Sequence, residues 1–197
     1  MAAIYLDMKT KEEIKKIEAV VLYILQQFKD GVDYIKLFKI MYFAQKDYLL
    51  TYGKVLCPDT FKARKFGPVP TLSDKVLKTV ETRESLSGRT DLKAFAGSIR
   101  VDGSQTVFAR QEPDTDYLSG KERECLDKWI LYCRDKDSKK ELSPESHDAA
   151  YEAAWKAYQD DPQKGEMTLI EIARAGDASE KLVSYIRDKE LMNEQLS

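Results

Sequence analysis

The segment YIKLFKIMYFAQKDYLLTY, residues 34–52, has apolar side chains on more than one face of a helix and leaves only a narrow polar strip. The strip consists of Lys36, Lys39, Lys46 and Asp47. A helix with this pattern is typically central and packed on both sides. Asp33 stands where it can cap the start, and Gly53 where the left-handed conformation closes a helix. The segment therefore predicts a central helix whose lysines form its solvated strip.

The stretch TFKARKFGPVP, residues 60–70, joins an alternating segment to a pair of prolines. Residues 60–66 alternate in the manner of a short strand or an extended arm. Pro68 and Pro70 exclude a helix interior and a central strand, and Gly67 permits a turn of the backbone. We expect a stiff, exposed elbow that leads into a helix over residues 71–82. The start of that helix, Thr71-Leu72-Ser73-Asp74, has the form of a cap.

The remaining patterns predict further helices and one hairpin. The predicted elements are a helix over residues 11–29 behind a capping box at Thr10, a hairpin over 98–110 around Asp102-Gly103, a helix over 119–134, a solvated loop over 135–141, a helix from Ser143 with a break near His147, and two last helices from Thr168 and Asp177. The fold class is α+β: a mainly helical single domain with a small antiparallel β-sheet or hairpin. The domain body is residues 1–160, and helices in 161–197 complete the same domain.

Composition places the chain among soluble globular proteins. It has 197 residues, 43% hydrophobic and 34% charged, with a formal net charge of −2. Residues 1–65 carry 12 Lys and Arg against 8 Asp and Glu, which fits either an acidic partner or an ordinary solvated surface. The start has no secretory layout and no apolar run approaches a membrane span, so we expect a cytoplasmic protein without a membrane partner. Cys57, Cys125 and Cys133 are expected to be reduced, buried thiols.

The search for catalytic chemistry gives no constellation. His147 is the one histidine, and no G-x-S-x-G, zinc-ligand spacing or phosphate-binding loop accompanies it. A pair of catalytic carboxylates stays open, because acids are abundant and no pair stands out. We expect no catalytic residue, no metal and no cofactor, with a hydrolase that uses His147 as an alternative.

Basic and aromatic residues alternate in two places. In residues 34–52 the rings are expected to be core rather than a surface that stacks nucleic-acid bases, because most of their neighbours are apolar. Lys62, Arg64 and Lys65 form a small basic patch ahead of the elbow. The overall acidity makes a nucleic-acid partner an unfavoured alternative.

Residues 37–70 resemble the signature of the Panacea domain, the SocA-like antitoxin family once catalogued as phage-associated GepA-like proteins. The matching residues are Lys39, Tyr42, Phe43, Ala44, Tyr52, Gly53, Gly67, Pro68 and Val69. Residues 118–130 and 142–155 are similar to later elements of the family. Their matching residues are Leu118, Ser119, Glu122, Leu126, Asp127, Leu142, Ser143, Ser146, His147 and Trp155. Order and approximate spacing agree over residues 14–160.

The resemblance implies a bacterial antitoxin that binds and neutralises a cognate protein toxin, which fits a binding scaffold better than an enzyme. The motif residues expected to be structural are Tyr42, Phe43, Gly53, Gly67, Pro68, Val69, His147 and Trp155. For the toxin we expect contact at the arm and elbow: Lys62, Arg64, Lys65, Phe66 and Pro68. Two alternatives stay open, a proteolytic adaptor with residues 189–197 as a flexible recognition end and a DNA-binding regulator. The oligomeric state and the choice between sequestration and degradation also stay open.

Overall fold

The computed structural model describes residues 9–84 and 89–196. Its helices are α1 (Lys11–Gln26), α2 (Tyr34–Tyr52), α3 (Thr71–Thr82), α4 (Thr90–Gly97), α5 (Gly120–Cys133), α6 (Ser143–Glu145), α7 (Ala149–Asp160), α8 (Leu169–Arg174) and α9 (Glu180–Leu196). Its strands are β1 (Val32–Asp33), β2 (Phe61–Arg64), β3 (Gly67–Pro70), β4 (Ile99–Val101), β5 (Thr106–Ala109) and β6 (Glu166–Met167). The α+β, mainly helical fold class is confirmed. The expectation of no secretory leader rests on residues 1–13, of which residues 1–8 lie outside the described ranges.

Helix α2 is the centre of the fold, as its sequence predicts. It packs against α1, α5, α8 and β3. The carboxylate of Asp33 accepts a hydrogen bond from the Lys36 N–H at 3.0 Å and caps the helix start. Gly53 closes the helix with φ +62°, and its N–H donates to the Leu49 carbonyl at 2.8 Å. Both ends of the central helix are therefore set by local sequence.

The strands form two small antiparallel sheets. One has the order β1-β5-β4, and β4 and β5 are the predicted hairpin around Asp102-Gly103. The Asp102 carboxylate accepts hydrogen bonds from the N–H groups of Ser104 and Thr106 and so holds the turn. The other sheet has the order β3-β2-β6. It lies over α2 and α7.

The GPVP segment is a strand, which corrects the expected exposed elbow. Strand β3 pairs with β2 in the register Phe61↔Pro70 to Arg64↔Gly67, so residues 61–70 form a β-hairpin. Two prolines are compatible with this strand because β3 is an edge strand of its sheet. Gly67 makes the tight turn with φ +101°. Pro68 and Pro70 are buried, because this edge is covered by neighbouring elements instead of facing solvent.

The cap of α3 also differs from its prediction. No side chain of Thr71-Leu72-Ser73-Asp74 caps this helix. Asp59 does so from the other side of the hairpin: its carboxylate accepts hydrogen bonds from the N–H groups of Leu72 and Ser73, each at 2.9 Å. Asp59 is buried, and desolvation raises the pKa of its carboxyl.

Local cap signals elsewhere hold. Thr10, Ser119 and Thr168 each form a complete capping box. The predicted break near His147 is confirmed, since α6 ends at Glu145 and the Asp148 side chain caps α7. The expected solvated loop over 135–141 instead contains a π-helical turn, Ser138–Leu142, capped by Asp137.

The C-terminal helices pack on the body. Helix α8 contacts α2 and α7, and α9 contacts α8. Residues 189–196, expected as part of a flexible end, belong to helix α9, and Ser197 lies outside the described residues. Within the described ranges no helix has the length and apolarity to cross a membrane.

Candidate partner-binding site

Lys39 lies buried beneath the β2–β3 hairpin, which corrects the prediction of a solvated strip. Its residue is 1% exposed, and its Nζ donates a hydrogen bond to the Pro68 carbonyl oxygen at 2.9 Å. No ion pair involving this ammonium occurs in the described part of the chain. Burial therefore lowers the pKa of Lys39 from 10.5 to about 7.

The close contact between the hairpin and α2 depends on Gly67. A β-carbon at this position would lie 2.3 Å from Ser146 Oγ and 2.7 Å from Lys39 Nζ. The Ser146 hydroxyl is fully buried and donates to the Ser143 carbonyl at 2.7 Å. Three separate motif segments thus meet at one point, where only glycine leaves room for a lysine and a serine.

A second contact to α2 lies close to Lys39 along that helix, where the Asp148 side chain joins α2 to α7. Its Oδ2 accepts hydrogen bonds from the Tyr42 hydroxyl and from Lys46 Nζ, both at 2.7 Å. Lys46 also donates to the Ala175 carbonyl at 3.0 Å, which ties in the segment after α8. Burial and the neighbouring Asp148 carboxylate raise the pKa of Tyr42 well above its ordinary value. The tyrosine therefore stays a neutral donor throughout the physiological pH range.

The His147 ring and three aromatic rings of α7 stack in a ladder beside the hairpin. His147 stacks on Tyr151 with 4.1 Å between centroids, and Trp155 stacks on Tyr158 at 5.3 Å. The Tyr151 hydroxyl donates to the Arg64 carbonyl at 3.0 Å, and the Arg64 guanidinium lies 4.7 Å from the Tyr158 ring. The ladder fixes the β2 side of the hairpin, as Lys39 fixes the β3 side.

His147 takes part in this packing, and its Nε2 is buried without a hydrogen-bond partner. Desolvation is the main cause that lowers its pKa, so the ring is neutral at pH 7. The nearby Ser146 hydroxyl donates to a backbone carbonyl rather than to this ring. Within the described residues, His147 therefore has a packing contact with Tyr151 and no hydrogen-bonded nucleophile.

The three cysteines are free and buried, as predicted. Desolvation raises the pKa of each thiol to about 12, which keeps all three protonated. Across residues 9–84 and 89–196, no group of three or more His, Cys, Asp or Glu side chains is arranged to hold a metal ion.

The turn of the hairpin presents an exposed aromatic ring between two lysines. Phe66 is 40% exposed, and both Lys65 Nζ and Lys139 Nζ lie 5.5 Å from its ring centroid. Lys139 comes from the π-helical turn after α5 and is exposed, like Lys65. We call Lys65, Phe66 and Lys139 the hairpin tip.

The other predicted contact residues lie below the hairpin tip. The Lys62 side chain is 13% exposed, with its Nζ 3.9 Å from the Glu166 carboxylate. Arg64 is half-buried against the Tyr158 ring, and Pro68 is buried with its carbonyl engaged by Lys39. The structure therefore leaves Lys65 and Phe66 as the exposed members of the predicted set, and the other three support them.

Sequence reasoning missed Lys139 at this surface and the burial of Lys39. Lys139 follows the predicted helix over 119–134 and carries no local signal, because only the fold brings it to Phe66. Among the predicted structural residues, Tyr42, Phe43, Gly53, Gly67 and Pro68 are buried, and Val69, His147 and Trp155 are half-buried.

A family model described as "Antitoxin SocA-like, Panacea domain" matches residues 37–156, more than half of the chain. The match contains most of α2, the hairpin, α5 and most of α7. Comparison with curated proteins gave no match, and neither did comparison with solved structures.

Proposed function

Because the chain belongs to the SocA-like antitoxin family with a Panacea domain, we propose that it is an antitoxin that neutralises a cognate protein toxin by direct contact. The proposed mechanism is steric, since a stable complex covers the surface that the toxin needs for its activity. Specific complexes of this kind typically bury about 1,600 Å² in total. On this proposal the protein acts in the cytoplasm, is not an enzyme and needs neither metal nor cofactor.

The hairpin tip is the observation that supports a contact surface. Phe66 exposes a rigid ring that loses little conformational entropy when a partner covers it, which is typical of interface anchors. Neither Lys65 nor Lys139 forms an ion pair within the part of the chain that the structure describes. Both ammonium groups are therefore available to attract an acidic partner, which favours fast and specific association.

The support beneath the hairpin tip adds to this proposal. Lys39 holds the Pro68 carbonyl, and the Tyr151 hydroxyl holds the Arg64 carbonyl, on the two strands of one hairpin. A loop fixed in this way loses little freedom on binding, and the affinity rises accordingly. The motif residues would then act indirectly, by positioning the exposed residues that meet the toxin.

The adaptor alternative loses the feature that motivated it, because residues 189–196 are helical. Toxin half-life separates the two mechanisms: sequestration leaves it unchanged or longer, and delivery to a protease shortens it.

Calorimetric titration of the purified protein with the product of the adjacent gene tests the proposed contact. We expect Phe66→Ala and the double variant Lys65→Glu/Lys139→Glu each to weaken binding by about tenfold or more. Lys93→Glu is the matched control, since Lys93 is exposed on α4 and away from the hairpin, and its affinity should stay within about twofold of the parent. Unchanged circular dichroism would show that the variants fold. Parent-like affinity of both hairpin-tip variants would remove this surface from the proposal.

A further inference from the structure

A second exposed apolar surface lies where the segment after α2 meets α9. Val55 is 38% exposed, Tyr185 on α9 is 41% exposed, and both line one groove. Tyr52, the last residue of α2, precedes the lining residue Gly53 and is 42% exposed. Exposed apolar side chains that share a groove mark an interaction site more often than scattered ones do.

These two segments enclose a groove of about 290 Å³. Leu49, Gly53 and Val55 line its α2 side, and Tyr185 and Ile186 line its α9 side. The volume lies at the lower end of the range for binding pockets, which suits a single large side chain from a partner rather than a whole ligand.

Gly53 sets the shape of the groove. A β-carbon on this residue would lie 2.8 Å from the Tyr185 ring and 3.1 Å from Leu182 Cδ1. The ring therefore rests directly on the glycine backbone, and α9 approaches the end of α2 more closely than any larger residue would permit. The glycine that terminates α2 thus also forms part of the groove.

The charges around the groove are mainly positive. Its lining includes the exposed residues Lys54 and Lys189 together with one acid, Glu190. Lys54 and Lys189 form no ion pair in the described ranges, and Lys189 Nζ lies 5.8 Å from the Tyr185 ring centroid. An apolar groove beside free ammonium groups complements a segment that combines an apolar anchor with carboxylates.

The two sides of the groove come from different parts of the chain. The α2 side lies within residues 37–156, which match the family model, whereas α9 lies outside this range. The groove therefore combines a surface of the family domain with one that the C-terminal helix supplies.

We propose that this groove is a second contact site for the toxin, which inserts one large apolar side chain flanked by carboxylates. This inference rests on the proposed antitoxin function and adds a partner chemistry to it. Contact at α9 would give this chain a specificity that residues 37–156 alone do not provide, while the hairpin tip makes a separate contact.

The same titration with the adjacent gene product tests the groove. Val55→Asp places a carboxylate among the apolar lining residues, and we expect a rise in Kd of at least tenfold. The double variant Lys54→Glu/Lys189→Glu should raise Kd several-fold and weaken the salt dependence of binding. Lys93→Glu again serves as control and should leave Kd within twofold of the parent. Thermal unfolding of each variant checks that α9 stays packed.

The outcomes separate this inference from the function on which it rests. If the parent does not bind the adjacent gene product, both the antitoxin proposal and the groove proposal fall. A different outcome is that the parent binds, the hairpin-tip variants weaken binding and the groove variants leave it unchanged. In that case the groove inference alone is overturned. It is likewise overturned if light scattering shows that Val55→Asp turns a dimer into a monomer without changing toxin affinity, because the groove then binds a second copy of the chain.

Discussion

Replacing Lys39 by methionine should make the protein more stable at neutral and acidic pH. Methionine has a similar length and keeps the apolar contacts of the stem, but it brings no charge into the interior. The lysine is 1% exposed, and its ammonium hydrogen-bonds the Pro68 carbonyl and forms no ion pair in the described ranges. The variant therefore removes a buried charge together with one hydrogen bond.

The pKa of Lys39 gives the size of the effect. Burial lowers it from 10.5 in the unfolded chain to about 7 in the folded protein. Each pKa unit corresponds to about 1.4 kcal/mol, so the folded state carries a penalty of about 5 kcal/mol when both states are protonated, below pH 7. The lost hydrogen bond offsets about 1 kcal/mol of the gain. We expect Lys39→Met to raise the free energy of unfolding by about 4 kcal/mol at pH 6.

The sign of the pH dependence follows from proton binding. Between pH 7 and pH 10.5 the unfolded chain holds the Lys39 proton and the folded protein does not, so the stability of the parent rises with pH in this window. The variant lacks this contribution. Its advantage over the parent should shrink by about 3 kcal/mol between pH 6 and pH 9.

Urea unfolding of parent and variant at several pH values measures this difference directly. The contributions of all other titrating groups to the free energy of unfolding are the same in the two proteins and cancel. Lys93→Met, at an exposed position, is the control and should follow the parent at every pH. A Lys39→Met curve parallel to the parent from pH 6 to pH 9 would contradict the burial of a lysine with a lowered pKa.

Three further substitutions test the contacts that hold the site together. Gly67→Ala should destabilise the fold by at least about 2 kcal/mol in urea unfolding, because its β-carbon would meet Ser146 at a backbone φ of +101°. Asp148→Ala should cost about 2–4 kcal/mol, since it removes a helix cap and the acceptor for a buried hydroxyl, whereas the exposed Glu152→Ala should change stability by less than about 0.5 kcal/mol. Asp59→Ala should cost about 2 kcal/mol or more and lower amide protection in the first turn of α3, and full protection there would contradict its capping role.

Local signals predicted most of the helices, except α4 and the π-helical turn, because the causes of those helices lie within a few residues of one another. Thr10 and Glu13 satisfy each other's backbone donors, and Asp33 and Gly53 set the ends of α2. Each of these needs only the geometry of one helical turn. The apolar pattern of residues 34–52 likewise predicted a central helix, since a helix that is apolar on several faces needs packing on several sides.

The errors occur where a residue takes its partner from a distant part of the chain. Lys39 is buried because its ammonium fits the space left by Gly67 and donates a hydrogen bond to the Pro68 carbonyl. Pro68 lies 29 positions after Lys39 in the chain. Asp59 caps a helix that begins at Thr71. In the sequence, the pair of prolines indicates a connector. Residues 67–70 form an edge strand only because they pair with β2. No periodicity or local propensity encodes these tertiary contacts.

The candidate site likewise combines residues that local sequence predicts with residues that only the tertiary fold brings together. The sequence predicted Lys65 and Phe66, which the hairpin exposes at its turn. Lys139 lies 73 positions after Phe66 and reaches its ring only because the π-helical turn packs beside α2. The groove between α2 and α9 has no local signal either, because its sides are brought together by the packing of α9 on α8.

Growth rescue in a bacterial host measures the proposed antitoxin function in cells. The adjacent gene is expressed alone, with the parent protein, and with the variants Phe66→Ala, Lys65→Glu/Lys139→Glu and Lys93→Glu at matched levels. We expect that the neighbour arrests growth, that the parent and Lys93→Glu restore it, and that the hairpin-tip variants fail to restore it although they fold. A neighbour that is harmless, or whose toxicity the parent does not relieve, would contradict the antitoxin function itself.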